Sequence, residues 1–194
     1  DHKGFFAMMA RMKYIERWAL MRNSVSENIC EHSLEVAMLA HGLGIIGRKR
    51  FGKDLSPERL AMLGMYHDCT EIITGDMPTP VKYANDELKE AYKAIEDSAA
   101  HRLLEMLPED LRAEYESYFL PEQITPEEYR YVKAADKLSA LIKCIEEEKT
   151  GNQEFRSAKQ ATYESLQQMN MPEVTVFCEV FLPEYYKTLD ELEH

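Results

Sequence analysis

Four polar residues, His32, the adjacent pair His67-Asp68, and Asp136, interrupt stretches that otherwise read as apolar helix. A buried carboxylate is strongly unfavourable unless a partner charge or a metal compensates it. A fold that buries these stretches must therefore bring the four residues together or leave them at helix ends. Brought together, two imidazoles and two carboxylates make a nitrogen and oxygen donor set suited to one borderline or hard divalent cation. That makes the chain a candidate metal-dependent hydrolase.

The stretches themselves follow a helical period. Phe5, Met8, Met9, Met12 and Ile15 recur at helical spacing from Phe5 to about Glu16. A second helix begins around Glu27–Ile29, carries His32 on one stripe with Ile29, Val36, Ala40 and Leu43, and ends near Arg48–Arg50 with Gly52 as its stop. Ser56-Pro57-Glu58 is a start signal for a third, which carries Leu60, Leu63, Gly64 and His67 and puts Glu71 one turn on, on the same face. The run Thr74-Gly75-Asp76-Met77-Pro78-Thr79-Pro80 reads as a breaker-rich loop without helical continuity. Further helices are expected over about 86–106, 109–119, 126–149, 152–169 and 173–187, with breaks near Pro108, Pro121, Gly151 and Pro172. Period-two alternation, internal repeats and low-complexity tracts are absent from the sequence. The expectation is an all-α, compact helical single domain over 1–191, with Leu192-Glu193-His194 read as a tag remnant.

Composition narrows the function classes. A hydrophobic share of 45% supports a substantial core, and a formal charge of −12 argues against nucleic-acid binding, which needs a basic face. Within residues 1–25, five cations (Lys3, Arg11, Lys13, Arg17, Arg22) stand against Asp1 and Glu16, a local excess that either attracts a small anion or is a solvated helix face. Cys30, Cys69, Cys144 and Cys178 are far apart and form no CxxC pair, which fits reduced thiols in a cytoplasmic protein. Cys69 follows the His-Asp pair, yet no His–Cys activation pattern supports a nucleophile, so core packing is its reading. With no 18-residue apolar run and no signal-peptide core at the N-terminus, neither a membrane span nor export is expected.

Each candidate ligand has a plainer reading taken alone. His32 fits a hydrogen-bonded core histidine, Asp136 an exposed pair with Lys133 or Lys137, and His67-Asp68 the polar end of a helix. The small neighbours Ala135, Ser139 and Ala140 leave room beside Asp136 for a helix or an ion.

The ordered set decides among these readings. His32, then His67-Asp68, then a distant Asp136 in a helical chain resembles the HD-domain metal-dependent phosphohydrolase superfamily. It is most similar to the bacterial 5′-deoxynucleotidases. Arg17-Trp18, Leu20 to Asn23, Glu27-Asn28, Glu31 to Leu34, Met65 to Glu71, Thr74 to Tyr83, Lys133 to Asp136 and Lys143 to Glu147 carry that resemblance over nearly the whole chain.

The resemblance implies His32, His67, Asp68 and Asp136 as ligands of one divalent metal, with Co²⁺ or Mn²⁺ favoured and Zn²⁺ or Fe²⁺ compatible with the donors. Such an ion would acidify a water and polarise the phosphoryl group. The resemblance further implies that Arg17 orients the phosphate and that Trp18 crowds the sugar near its 2′ position. Glu71 and Asp76 become acidic residues needed for activity, and Met77, Pro78 and Thr79 line the nucleotide pocket. The implied substrate is a deoxyribonucleoside 5′-monophosphate with loose base selectivity, and the implied assembly is a homodimer, for which the N-terminal helix and Val174 to Phe181 offer apolar contact. Two rivals stand beside it: a phosphohydrolase acting on another nucleotide phosphoester, and an HD-fold nucleotide-binding module without catalysis. A triphosphate substrate would call for more cations than Arg17 and Lys82, and loss of catalysis would be expected to cost a ligand or an acidic partner.

Overall fold

Three helices form the frame of the computed structural model, which describes residues 3–194, and two of them start and stop at their sequence signals. Helix α2 (Ile29–Phe51) begins where the Asn28 side chain accepts the Glu31 N–H at 2.9 Å, and it ends at Gly52 in the left-handed region, φ 62°. Helix α8 (Pro126–Lys149) opens on a capping box: Glu128 N–H donates to Thr125 Oγ1 at 3.1 Å, and Thr125 N–H to Glu128 Oε1 at 3.0 Å. Helix α3 (Pro57–Tyr66) has Pro57 at its first position, while Ser56 makes no side-chain capping bond.

Ahead of these lies α1 (Phe5–Met9), continued by a 3₁₀ turn, Ala10–Tyr14. Between α3 and α8 come α4 (Glu71–Thr74), α5 (Thr79–Lys82), α6 (Asp86–Leu104) and α7 (Glu109–Phe119). After α8 come α9 (Arg156–Gln168), α10 (Pro172–Val180), a 3₁₀ turn Leu182–Tyr186 and α11 (Leu189–Leu192). No strand occurs among the described residues; the extended pairing is a single bridge between Glu16 and Asn28. The all-α expectation holds.

The main core joins α2, α3 and α8 through Val36, Leu43, Leu60, Leu138 and Ile142, all almost fully buried. Each such side chain contributes roughly 1.5–3 kcal/mol, so the backbone behind the polar cluster is firmly held. Helices α2 and α3 approach at two glycines. A Cβ on Gly44 would stand 2.9 Å from Leu60 Cδ1 and 3.0 Å from Pro57 Cα, and one on Gly64 would stand 3.1 Å from the Val36 carbonyl oxygen. That close crossing carries the end of α3 toward His32. A second cluster of Phe5, Met12, Ile29, Leu103, Leu104 and Phe119 fastens the N-terminal segment to α6 and α7.

The structure departs from the periodicity in several places. The first helix stops at Tyr14, because Ile15 turns extended and Glu16 pairs with Asn28. Helix α3 stops at Tyr66 instead of running through Glu71. Residues 67–70 form a turn, with Cys69 N–H on the Tyr66 carbonyl at 3.1 Å and Glu71 N–H on that of Asp68 at 3.0 Å. His67 and Glu71 therefore do not share one helical face. The 74–80 loop already enters α5 at Thr79, α9 begins at Arg156, and α11 runs into the segment read as a tag remnant. Helix α2 is long and apolar enough to cross a membrane by length and composition alone, yet half of that stretch is buried inside the fold, as in the core helix of a globular protein. Val174 and Phe177, read as surface for a partner, are buried in the main core, leaving Val180 and Phe181 exposed.

Candidate metal centre and active site

Asp136 projects from α8, His32 from α2, and His67-Asp68 from the turn that ends α3. Their ligand atoms all lie within 4.8 Å of one another. His32 Nε2 is 2.8 Å from Asp136 Oδ1 and 3.3 Å from Asp68 Oδ2. His67 Nε2 is 3.1 Å from Asp68 Oδ2 and 3.3 Å from Asp136 Oδ1.

The second ring nitrogens fix what these contacts mean. His67 Nδ1 donates to the Gly64 carbonyl oxygen at 2.7 Å, a partner that can only accept. His32 Nδ1 is 2.9 Å from Ser139 Oγ, whose own hydroxyl donates to Glu35 Oε1 at 2.6 Å, so the serine oxygen accepts from the ring. In its neutral form each imidazole would thus turn an Nε2 lone pair toward carboxylate oxygens. Lone pairs and anions at such distances repel unless positive charge stands between them.

Protons or a cation can supply that charge, and the titration of the groups reflects the demand. Burial pulls the His67 imidazole down, but Asp68 and Asp136 outweigh it and leave it well above its ordinary value. Burial pushes the Asp136 carboxyl up, yet the two imidazoles bring it well below the usual carboxylate range. Two nitrogens and two carboxylates, each imidazole oriented from behind by a carbonyl or a hydroxyl, fit one divalent ion.

Four further candidates surround this group. Arg17 Nη1 lies 3.8 Å from Asp68 Oδ2 and its Nε 3.7 Å from Glu27 Oε2. Both separations are attractive yet too long for hydrogen bonds, and the buried Nε has no acceptor. The fork is held by charge with donors unspent. Trp18 adopts φ 60°, a left-handed conformation that disfavours a bulky side chain by about 1–2 kcal/mol. Its indole N–H donates to Glu27 Oε2 at 2.9 Å, and its ring meets Phe155 edge-on at 5.3 Å. Strain of this kind at a non-glycine residue persists only where the surroundings over-determine it.

Glu71 is buried, and its Oε2 has no hydrogen-bond partner. Burial first, then Asp68 and Asp76, push its carboxyl up to about 9, against the pull of Arg17 and His67. Burial also raises Asp76, which feels Arg17, Asp68 and His32 and so lies in the field of the cluster. Met77 and Pro78 are half-buried beside it in sequence, and Thr79 is exposed at the start of α5. Lys82 is paired with Glu96 at 3.2 Å.

Asp136 does meet Lys133, but at 3.9 Å; the imidazoles are its nearer partners. Cys69 is buried and its thiol pushed up by burial and then by Asp68, so it is a packing residue. Cys30 is exposed, unlike Cys69 and Cys144.

Three residues near the site went unassigned in the sequence: Glu27, Glu35 and Ser139. Glu35 and Ser139 each stand three residues past a ligand, on its helical face, a spacing that could have drawn attention to them. Also unassigned was a buried set farther along α8. Lys143 Nζ is 2.7 Å from Glu147 Oε1, and Glu147 accepts from Ser24 N–H at 2.9 Å, Val25 N–H at 3.2 Å and Asn152 Nδ2 at 2.8 Å. Lys143 also donates to the Val25 carbonyl at 2.6 Å, and Asn152 to that of Arg22 at 2.8 Å. This clasp fixes the loop that follows Arg17 and Trp18.

Comparison with known proteins places the arrangement in context. The family model described as 5′-deoxynucleotidase YfbR-like matches residues 4–185. A 5′-deoxynucleotidase of Vibrio cholerae is 48% identical over 188 residues, covering 97% of each chain. One from Erwinia tasmaniensis is 48% identical over 191 residues, covering 98% of this chain and 96% of its own. Among solved structures, an HD-domain phosphohydrolase from Listeria innocua superposes with a TM-score of 0.80 at 22% identity, covering 97% of this chain and 91% of that one. A cyanophage S-2L HD phosphohydrolase, solved with dA and one catalytic Zn²⁺, has a TM-score of 0.66 at 24% identity, covering 94% and 96%. At these identities the two structures bear on the fold alone.

Proposed function

This chain belongs to the YfbR-like 5′-deoxynucleotidase family, and on that premise we propose that it hydrolyses deoxyribonucleoside 5′-monophosphates to deoxynucleoside and phosphate. The observation that carries the reading is the meeting of Arg17 with the four-residue group, Nη1 standing 3.8 Å from Asp68 Oδ2 with the buried Nε unpartnered. A cationic fork with free donors beside a divalent-ion site is what a phosphomonoester dianion requires.

His32, His67, Asp68 and Asp136 would hold the ion, with Co²⁺ or Mn²⁺ the favoured species. When bound, it supplies Lewis acidity, setting charge against the phosphoryl oxygens and acidifying water. Arg17 binds and orients the phosphate. Trp18 closes the space beside the sugar 2′ carbon, so that a ribose hydroxyl is excluded by contact. Glu71, whose Oε2 is buried and unengaged, is the carboxyl with an atom free for proton transfer. Asp76 bonds the sugar or assists the leaving 5′ oxygen, and Met77, Pro78 and Thr79 form the rim. With Lys82 engaged by Glu96 at 3.2 Å, Arg17 stands as the main cation for substrate, which favours a monophosphate over a triphosphate. A homodimer in the cytoplasm completes the reading, supported by four free thiols and by the exposed Phe6, Tyr14, Val180 and Phe181.

The test is phosphate release from paired deoxy- and ribonucleoside 5′-monophosphates with added Co²⁺ or Mn²⁺, before and after chelation. Turnover of the deoxy form alone, lost on chelation, supports the reading; equal turnover of both sugars removes the role of Trp18. Glu71→Ala is expected to bind metal and nucleotide yet release no phosphate, and full activity in that variant would remove its proton-transfer role.

A further inference from the structure

Glu27 touches two of the residues that would grip substrate, Arg17 and Trp18, and its Oε1 lies 3.7 Å from His32 Nδ1. Its Oε2 accepts the Trp18 indole N–H at 2.9 Å and lies 3.7 Å from Arg17 Nε, while its backbone carbonyl accepts the Arg17 N–H at 2.8 Å. Glu27 is itself anchored, since it immediately precedes the Asn28 cap of α2. Two weaker contacts also reach the Trp18 ring. Phe155 meets it edge-on at 5.3 Å, a contact that tolerates rotation, and the Arg17 guanidinium sits 5.7 Å from the ring centre. The backbone is more firmly placed: Met21 N–H at 3.0 Å and Asn23 Nδ2 at 3.1 Å both donate to the Trp18 carbonyl. The main chain fixes where the indole starts, and the bond to Glu27 fixes where it points.

We propose that Glu27 is the positioning residue of substrate selection: it locks the Trp18 indole in the orientation that crowds a 2′-hydroxyl and steadies the Arg17 fork by charge. The inference rests on the reading of Trp18 as the sugar wall. A wall rejects a hydroxyl only if it cannot swing aside, because an apolar surface that yields discriminates weakly against one extra oxygen. A charge-assisted bond to the indole nitrogen supplies that stiffness. The same carboxylate attracts Arg17 without saturating it, the 3.7 Å separation leaving the guanidinium donors open to phosphate.

The two functions separate by substitution. Glu27→Gln keeps an acceptor for the indole and removes the charge; Glu27→Ala removes both. Trp18 is the only tryptophan, so its fluorescence reports this ring alone. The experiment measures the ratio of kcat/KM for 2′-deoxyadenosine and adenosine 5′-monophosphates, with acrylamide quenching and anisotropy of Trp18, in the metal-loaded wild type, Glu27→Ala, Glu27→Gln and Trp18→Ala. In Glu27→Ala the ratio is expected to fall by about tenfold or more, chiefly through gain on the ribonucleotide, with a more mobile and more quenchable ring. Glu27→Gln is expected to keep the ratio within about threefold and the ring fixed, while KM for both sugars rises. If Glu27→Ala does not fold, Glu27→Leu, which has no acceptor, takes its place. An unchanged ratio and an immobile ring in the acceptor-less variant, with the ratio lost in Trp18→Ala, overturn the role of Glu27 and leave the sugar wall standing. A ratio preserved in Trp18→Ala overturns the wall itself.

Discussion

Helix α8 carries two buried polar clusters, one around Asp136 and Ser139 and one around Lys143 and Glu147, and they are satisfied in opposite ways. In the clasp every charge has a complement. The Glu147 carboxylate collects an ammonium, two backbone N–H groups and an amide, and Lys143 finds a carbonyl as well as that carboxylate. At the candidate metal centre each ring has one nitrogen engaged from behind, by Gly64 or Ser139, so the other meets the carboxylates across a few ångströms and needs a proton or a cation between them. A polar cluster that closes on itself holds the fold together; one that presents only acceptors to its centre is built for a cation. The first serves the second, because the loop it fixes follows Arg17 and Trp18 directly.

This contrast breaks first at Asp136. Asp136→Ala should lower phosphate release by about 10³-fold or more, since the ion's charge stabilisation is worth several factors of ten. The urea midpoint of the metal-free protein should fall less than that of the clasp variant Glu147→Ala, because Asp68 still stands within 3.3 Å of both imidazoles. A large loss of metal-free stability would make this cluster a structural one.

The clasp should behave in the reverse sense. Glu147→Ala strands a buried ammonium, two N–H groups and an amide, and should destabilise the chain by about 3–5 kcal/mol in urea melts. Lys143→Met with Glu147→Leu should recover most of that loss, since removing both partners leaves no unpaired charge. If the double variant is as unstable as the single, the pair is not what holds the loop.

Ser139→Ala sharpens the comparison with a smaller change on the metal side. It removes the acceptor behind His32 Nδ1 and should weaken metal binding by about 10–100-fold in competition with a chelator, while leaving the helix content intact. Affinity equal to wild type would mean that the ring is oriented by other contacts.

Acid should distinguish the clusters most gently. Burial raises the Glu147 carboxyl, but Lys143, Asn152 and the Ser24 and Val25 N–H groups overcome that and hold it below its ordinary 4.5. A lowered carboxyl contributes stability that is present above its unfolded value and lost as pH falls through the folded one. The wild type should therefore lose stability between about pH 5 and 3 faster than a Glu147→Gln variant; parallel curves would place the acid sensitivity elsewhere.

The sequence makes the four candidate ligands visible because each is a polar residue at an apolar helical position, and their order along the chain is distinctive. The helices with strong end signals are equally legible: α7 and α8 begin and end as expected, and the Thr125–Glu128 box makes the start of α8 unmistakable. What stays hidden depends on partners far apart in sequence. The turn at 67–70 interrupts a stretch whose periodicity runs on unbroken, because the contacts of His67 and Asp68 with α2 and α8 override local preference. Ser139 reads as a small residue until Glu35, on another helix, gives its hydroxyl a direction. Glu27 and Glu147 look like ordinary surface acids, and only the folded loop between Arg17 and Val25 turns one into the partner of Trp18 and the other into its clasp.

The central claim, that His32, His67, Asp68 and Asp136 hold one catalytic divalent ion, is tested most directly by titrating metal-free protein with Co²⁺. The absorption of the bound ion and phosphate release from a deoxyribonucleoside 5′-monophosphate are followed together. The account predicts saturation at one ion per chain, release rising in proportion to occupancy, and neither signal in Asp136→Ala. Undiminished phosphate release from protein stripped of metal would contradict it.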